Sequence, residues 1–171
     1  MNTNNIITEL EANKAERFFE TLDAESSQQF FEDFAQVQPH AFVFLMTLSE
    51  DIEKEEVKHE VLYLSGVIYH AFTDKYGKLN LVSEDLVDAG QKYVINQLDQ
   101  LANPQVGSDV SAKTVFEETA QPFLLAYIMH EVARAQGAYS EKDRLIVFTI
   151  LQTMAYCFNN AIAVSPLRKV D

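Results

Sequence analysis

Three observations predict an all-α chain, a single-domain helical bundle. Glycine and proline are scarce, at 5 and 4 in 171 residues, so few turns interrupt the chain and its elements should be long. No segment sustains the two-residue alternation of a half-buried strand, and the nearest, "GKLNLVS" at 77–83, is too short to build a sheet. Apolar residues, 47% of the chain, fall instead at helical spacings between recognisable start and stop signals. The length of 171 residues suits one domain, 1–171, able to bury a real core.

The signals divide the chain into about six helices. The first spans about 5–22, with Ile6, Leu10, Phe18 and Leu22 on one side. The second starts near Ser26, where Ser26 and Gln29 have the spacing of a capping box, is interrupted at Pro39 and continues through "HAFVFLMTL". The third runs from about Asp51 to Asp74 and is closed by Gly77, a residue that accepts the left-handed conformation of a helix end. The fourth starts at Ser83, places Glu84 and Asp85 at the positive end of its dipole and stops before Asn103-Pro104. The fifth begins near Ser108 or Ser111, carries Pro122 and stops at Gly137. The sixth starts at Ser140, with Asp143 in the capping position, and reaches about Ala163.

Two stretches echo one another. "FEDFAQVQPHAFVFLM" (31–46) matches "FEETAQPFLLAYIM" (116–129) in its Phe-Glu-acid, Ala-Gln, proline and apolar run ending in methionine. A very apolar helix follows each, "VLYLSGVIYHAF" (61–72) and "VFTILQTMAYCF" (147–158). The expectation is an internal repeat, 31–72 and 116–158, forming two pseudo-symmetric hairpins. The third and sixth helices would be central, because a helix apolar on all sides must be covered on all sides. Ser65-Gly66 would allow a neighbour to approach closely.

Net charge is −13, from 26 acidic and 13 basic residues, which opposes direct binding of nucleic acid or an anionic membrane. The lone Cys157 can form no intrachain disulfide and lies in an apolar run, as a buried thiol would. The N-terminal "MNTNNIITELEANK" lacks the basic start and apolar block of a signal peptide, and the run 145–158 is short of the roughly 20 residues a membrane span needs. These features predict a cytoplasmic protein with no membrane span.

The stretch "EEVKHE" (55–60) places Glu56 and His59 three apart, the spacing by which one helix offers a carboxylate and an imidazole to one metal ion. A di-metal bundle needs a second such pair, but Tyr127 precedes His130, Val67 precedes His70 and Val37 precedes His40 at that spacing. Arg134 stands where a zinc-protease motif at His130-Glu131 would need its second histidine. Helical phase turns His59 away from the Val57, Val61, Leu64, Ile68 stripe. Glu56 and His59 thus read first as a solvated helix start, with a metal site as the alternative. His70, Tyr63, Tyr156 and Gln152 are polar groups on apolar helices. They read as satisfied core residues or as the lining of a pocket for a small apolar ligand. His130, Glu131 and Arg134 read as a surface ion pair. No Gly-rich phosphate loop and no nucleophile-elbow sequence is present, so no cofactor is expected and the balance leans away from an enzyme.

The hairpin "LLAYIMHEVARAQGAYSEKDRLIVFTIL" (124–151) resembles the helix-turn-helix of TerB-like domains, the all-helical tellurite-resistance family, through Ala135, Gly137, Ser140 and Asp143. The family's acid before the glycine is Gln136 here. The resemblance implies a duplicated helical module in a stress-response protein.

The expected function is that of a non-catalytic intracellular helical protein acting through a protein partner or as a homodimer. Phe18, Phe19, Phe30, Phe31 and Phe34 supply either core or a contact patch. An acidic nucleic-acid mimic that occupies a basic partner is a further alternative.

Overall fold

The computed structural model describes residues 6–102, 119–134 and 139–163. Among these residues the chain is a bundle of seven helices with no strand. They are α1 (Glu9–Glu20), α2 (Ala24–Val37), α3 (Pro39–Ser49), α4 (Glu55–Tyr76), α5 (Glu84–Ala102), α6 (Pro122–Arg134) and α7 (Glu141–Asn160).

The boundaries correct the sequence reading in several places. Helix α1 starts at Glu9 rather than near residue 5, where the Glu11 carboxylate accepts the Thr8 N–H at 2.6 Å. Asp23, not Ser26, caps α2: its carboxylate accepts the Ser26 N–H at 2.8 Å, which makes Ser26 the third residue of the helix. Pro39 does not bend a continuous helix but opens a new one, because a proline at the first helical position lacks only an N–H that would have no partner there. Helix α3 then ends in tight turns, Asp51 N–H to Leu48 C=O at 3.3 Å and Ile52 N–H to Ser49 C=O at 3.1 Å. These turns carry Ile52 into the core, so α4 begins at Glu55 rather than Asp51. Pro122 likewise opens α6. The expected helix start at Ser108 or Ser111, and the stop at Gly137 with Ala135 and Gln136, lie outside the described residues.

Two termini follow the signals read from the sequence. Gly77 ends α4 at φ 72°, the region that penalises any side chain. Ser140 and Asp143 form a reciprocal capping box at α7, the Asp143 N–H reaching the Ser140 hydroxyl at 3.0 Å. Burial works to raise Asp143, but its bonds from the Ser140 hydroxyl and amide outweigh that and hold the carboxyl below its ordinary value.

The segment 77–83, the strand candidate, forms no strand, and several of its backbone groups bond to distant partners instead. The fully buried Gln38 side chain donates to Asn80 C=O at 3.0 Å and accepts the Val82 N–H at 2.8 Å. Asn80 N–H goes to Ala161 C=O at 2.8 Å. Gln121 does comparable work elsewhere: it accepts the Ile7 N–H at 2.7 Å and donates to Asn159 Oδ1 at 2.7 Å. Each glutamine immediately precedes a helix-opening proline, and each holds the residue that leads into another helix, Val82 into α5 and Ile7 into α1.

Helices α4 and α7 pack against each other at the centre, with α1 against α4, and α3, α5 and α6 against α7. Their buried positions advance in step: Val57 with Asp143, Val61 with Val147, Leu64 with Ile150, Ile68 with Met154 and Phe72 with Phe158. An aromatic layer from α1, α2 and α3 covers them. Phe34 is fully buried and stacks on Tyr69 at 4.3 Å, and Phe19 meets Phe18, Phe30 and Tyr63 edge-on. Phe34 and Phe19 are core, while Phe18, Phe30 and Phe31 are partly buried against it.

Candidate functional site

Glu56 and His59 are both exposed on the first turns of α4, where Glu55 pairs with Lys58 at 2.9 Å. Among the described residues no group of three or more His, Cys, Asp or Glu side chains is placed to hold a metal ion. The four residues read as a pocket divide between two places. Tyr156 and Gln152 line a cavity of about 190 Å³ together with Gln121 and Asn159, and Tyr156 stacks on Tyr93 at 4.9 Å. Tyr63 and His70 instead both pack on Phe19.

His70 lies flat on Phe18, ring centres 3.9 Å apart, and burial pushes its pKa below the ordinary 6.5 against a smaller opposing pull from Asp74. The unfolded chain therefore takes up a proton near pH 6.5 that the folded chain accepts only at lower pH. Stability from this group is complete above that pH and declines as pH falls through the window below it. Urea midpoints compared at about pH 7.5 and about pH 5.5 are expected to drop further for the natural chain than for His70→Phe, which keeps the stacked ring. Equal drops would refute this.

A larger feature lies between α1 and α6, a groove of about 550 Å³. Helix α1 buries Ala12 and Ala15 and turns Glu9, Asn13 and Glu16 to the groove, at helical spacing along one face. Helix α6 buries Leu124, Leu125 and Ile128 and presents Phe123, Tyr127, His130 and Arg134. The Tyr127 hydroxyl donates to Glu16 Oε1 at 3.0 Å, joining the two walls. Glu131 lies at the floor, 5% exposed. Arg134 Nη2 stands 2.8 Å from its Oε2, and His130 Nε2 lies 4.0 Å from its Oε1, too far for a hydrogen bond. Burial, and then the Glu16 carboxylate, hold the Tyr127 phenol far above its ordinary range. Tyr63, on α4, is raised by burial and by the charges of Glu16, Glu20 and Glu131. Tyr139 is raised by burial and by Glu60. These phenols stay protonated at neutral pH, and that of Tyr127 donates to Glu16.

Sequence reading placed Glu131 in a surface ion pair; the structure buries it. The signal was present, since Leu124, Ile128 and Glu131 follow one another at helical spacing, so the acid continues the buried stripe. The exposed Arg134 made the pair look superficial.

A second groove, of about 460 Å³, lies between α3 and α5. Its lining includes Phe44, Thr47, Leu48 and Gln91, and also the carboxylates Glu84 and Asp88. Both grooves therefore carry acids.

In comparisons with known proteins, no family model, no curated protein and no solved structure matches this chain. Among the described residues no helix is long and apolar enough to cross a membrane. The Cys157 thiol, buried against the Leu86 carbonyl, is pushed up to about 12, away from nucleophilic use.

Proposed function

We propose that this chain is a non-catalytic helical binding module that receives a segment of a protein partner in the groove between α1 and α6. The observation that carries this reading is Glu131. A buried ion pair is weak support for stability, and a well-packed apolar side chain in its place is often neutral or better. Glu131 is nearly buried and lines the groove with one oxygen paired to Arg134, so its second oxygen serves what enters there.

The rim supports a macromolecular occupant. Phe123, in the groove lining, is 53% exposed. An exposed aromatic ring beside charged groups suits a peptide more than a compact apolar ligand. Self-association is a second reading, favoured by Val43 and Met46, which stand one turn apart on α3 at 62% and 45% exposure. The intracellular setting and the stress-related role implied by the TerB-like resemblance belong to the same proposal.

A photocrosslinking residue placed at Ala126, at Val43 and at exposed Asn96 on α5 tests it in cells. A protein enriched at Ala126 over Asn96 is the expected result, and a second copy of the chain trapped at Val43 supports self-association. The same proteins at Ala126 and Asn96 would overturn the groove reading.

A further inference from the structure

We infer that the segment received between α1 and α6 is cationic and amphipathic, bringing a lysine or arginine to the Glu16–Glu131 wall while an apolar side chain covers Phe123. This rests on the groove reading above and adds the chemistry of the occupant.

Two features converge on it. The first is charge. Glu9, Glu16 and Glu131 face Arg134 as the arginine of the groove lining, on a chain of net charge −13. A cation is therefore drawn in and an anion repelled. The second is preorganisation. The Tyr127 hydroxyl bond fixes one Glu16 oxygen at 3.0 Å, and Arg134 fixes one Glu131 oxygen at 2.8 Å. Each carboxylate has a second oxygen, and His130 reaches that of Glu131 only at 4.0 Å. A carboxylate held in place gives a charge-assisted bond to an ammonium or guanidinium without further ordering of the acid.

The test selects random peptides on a display library against the full chain. The best binder is measured by calorimetry as selected, with its basic residues changed to uncharged isosteres, and at raised salt. Binders should carry lysine or arginine beside an apolar residue, and added salt should weaken them. Glu16→Gln and Glu131→Leu should each lower affinity about tenfold or more, the range for one desolvated charge contact. Glu131→Leu should unfold at no lower denaturant concentration than the natural chain, because a packed apolar side chain in place of a buried ion pair is often neutral or better. Should it fail to fold, Glu16→Gln, at a half-buried surface acid, carries the test alone. Selected peptides that lack a basic residue, or that ignore Glu16→Gln, yet are displaced by Ala126→Trp would overturn the cationic assignment and leave the groove reading standing. Peptides indifferent to Ala126→Trp would overturn both.

Discussion

Replacing Gly66 with leucine is expected to cost the fold on the order of 3 kcal/mol or more, and alanine at the same position about 1–3 kcal/mol. Gly66 is buried in the middle of α4. A Cβ built there would lie 2.6 Å from Phe19 Cζ and 2.9 Å from Phe31 Cζ. The Phe19 ring cannot swing aside freely, since it meets Phe18, Phe30, Phe31 and Tyr63. Alanine in a helix interior gains about 1 kcal/mol over glycine, so the collision must exceed that gain for the sign to be negative. Gly90, on α5, is the control: its nearest neighbours would be Thr153 Cγ2 and Tyr156 Cδ1, both at 3.1 Å. A shift of a few tenths of an ångström relieves that contact, and Gly90→Ala should be near neutral. Denaturant titration of the two alanine variants decides the matter. A Gly66→Ala chain as stable as the natural one would mean that the aromatic layer over α4 is looser than the distances imply.

The close approach at Gly66 was legible because a small pair inside an apolar helix has few other physical uses. The helical class and the Gly77 stop were legible for a similar reason: local chemistry alone decides them. The start of α2 was not, because Asp23 and Ser26 are both good caps three residues apart and nothing local ranks them. At Pro39, bending one helix and opening another are locally alike. Opening a helix leaves Gln38 non-helical, with φ −132°, and its side chain then bonds to Asn80 and Val82, 42 and 44 residues along the chain. No window around Pro39 contains that information. The candidate site divides in the same way. Glu131 lay in phase with buried leucine and isoleucine and was open to discovery, whereas its partner Glu16 on α1 is brought to Tyr127 by tertiary packing alone. The four polar residues read as one pocket lie on helices that the bundle turns toward different neighbours, and helical phase within each helix could not show which neighbour that is.

Changing Gln38 to leucine is expected to destabilise the chain by about 3 kcal/mol although the volume is nearly kept, because an unpaired buried backbone group costs about 1–3 kcal/mol. Val82 N–H has the Gln38 Oε1 bond at 2.8 Å in a buried setting, while Asn80 C=O, in a more exposed residue, can turn to water. Most of the loss therefore belongs to the donor. For a chain of this size each kcal/mol moves the thermal midpoint about 2–4 °C, so a fall of roughly 6–12 °C is expected. Gln38→Glu should be worse still, since a carboxylate that can accept from Val82 N–H would set a second oxygen against the Asn80 carbonyl. Gln121→Leu removes the corresponding bond to Ile7 N–H, 2.7 Å and buried, and should loosen the lead into α1 rather than α5. Amide hydrogen exchange separates this account from a general loss of stability. In Gln38→Leu the Val82 amide should lose protection well before the centre of α7, and in Gln121→Leu the Ile7 amide should do so. Uniform loss across the bundle in both variants would mean that the glutamines act through packing volume, not through the backbone groups they hold. Because the Ile7 lead positions α1, and α1 carries Glu16, Gln121→Leu should also weaken whatever binds beside Tyr127, whereas Gln38→Leu, acting on α5, should leave that binding intact in the chains that remain folded.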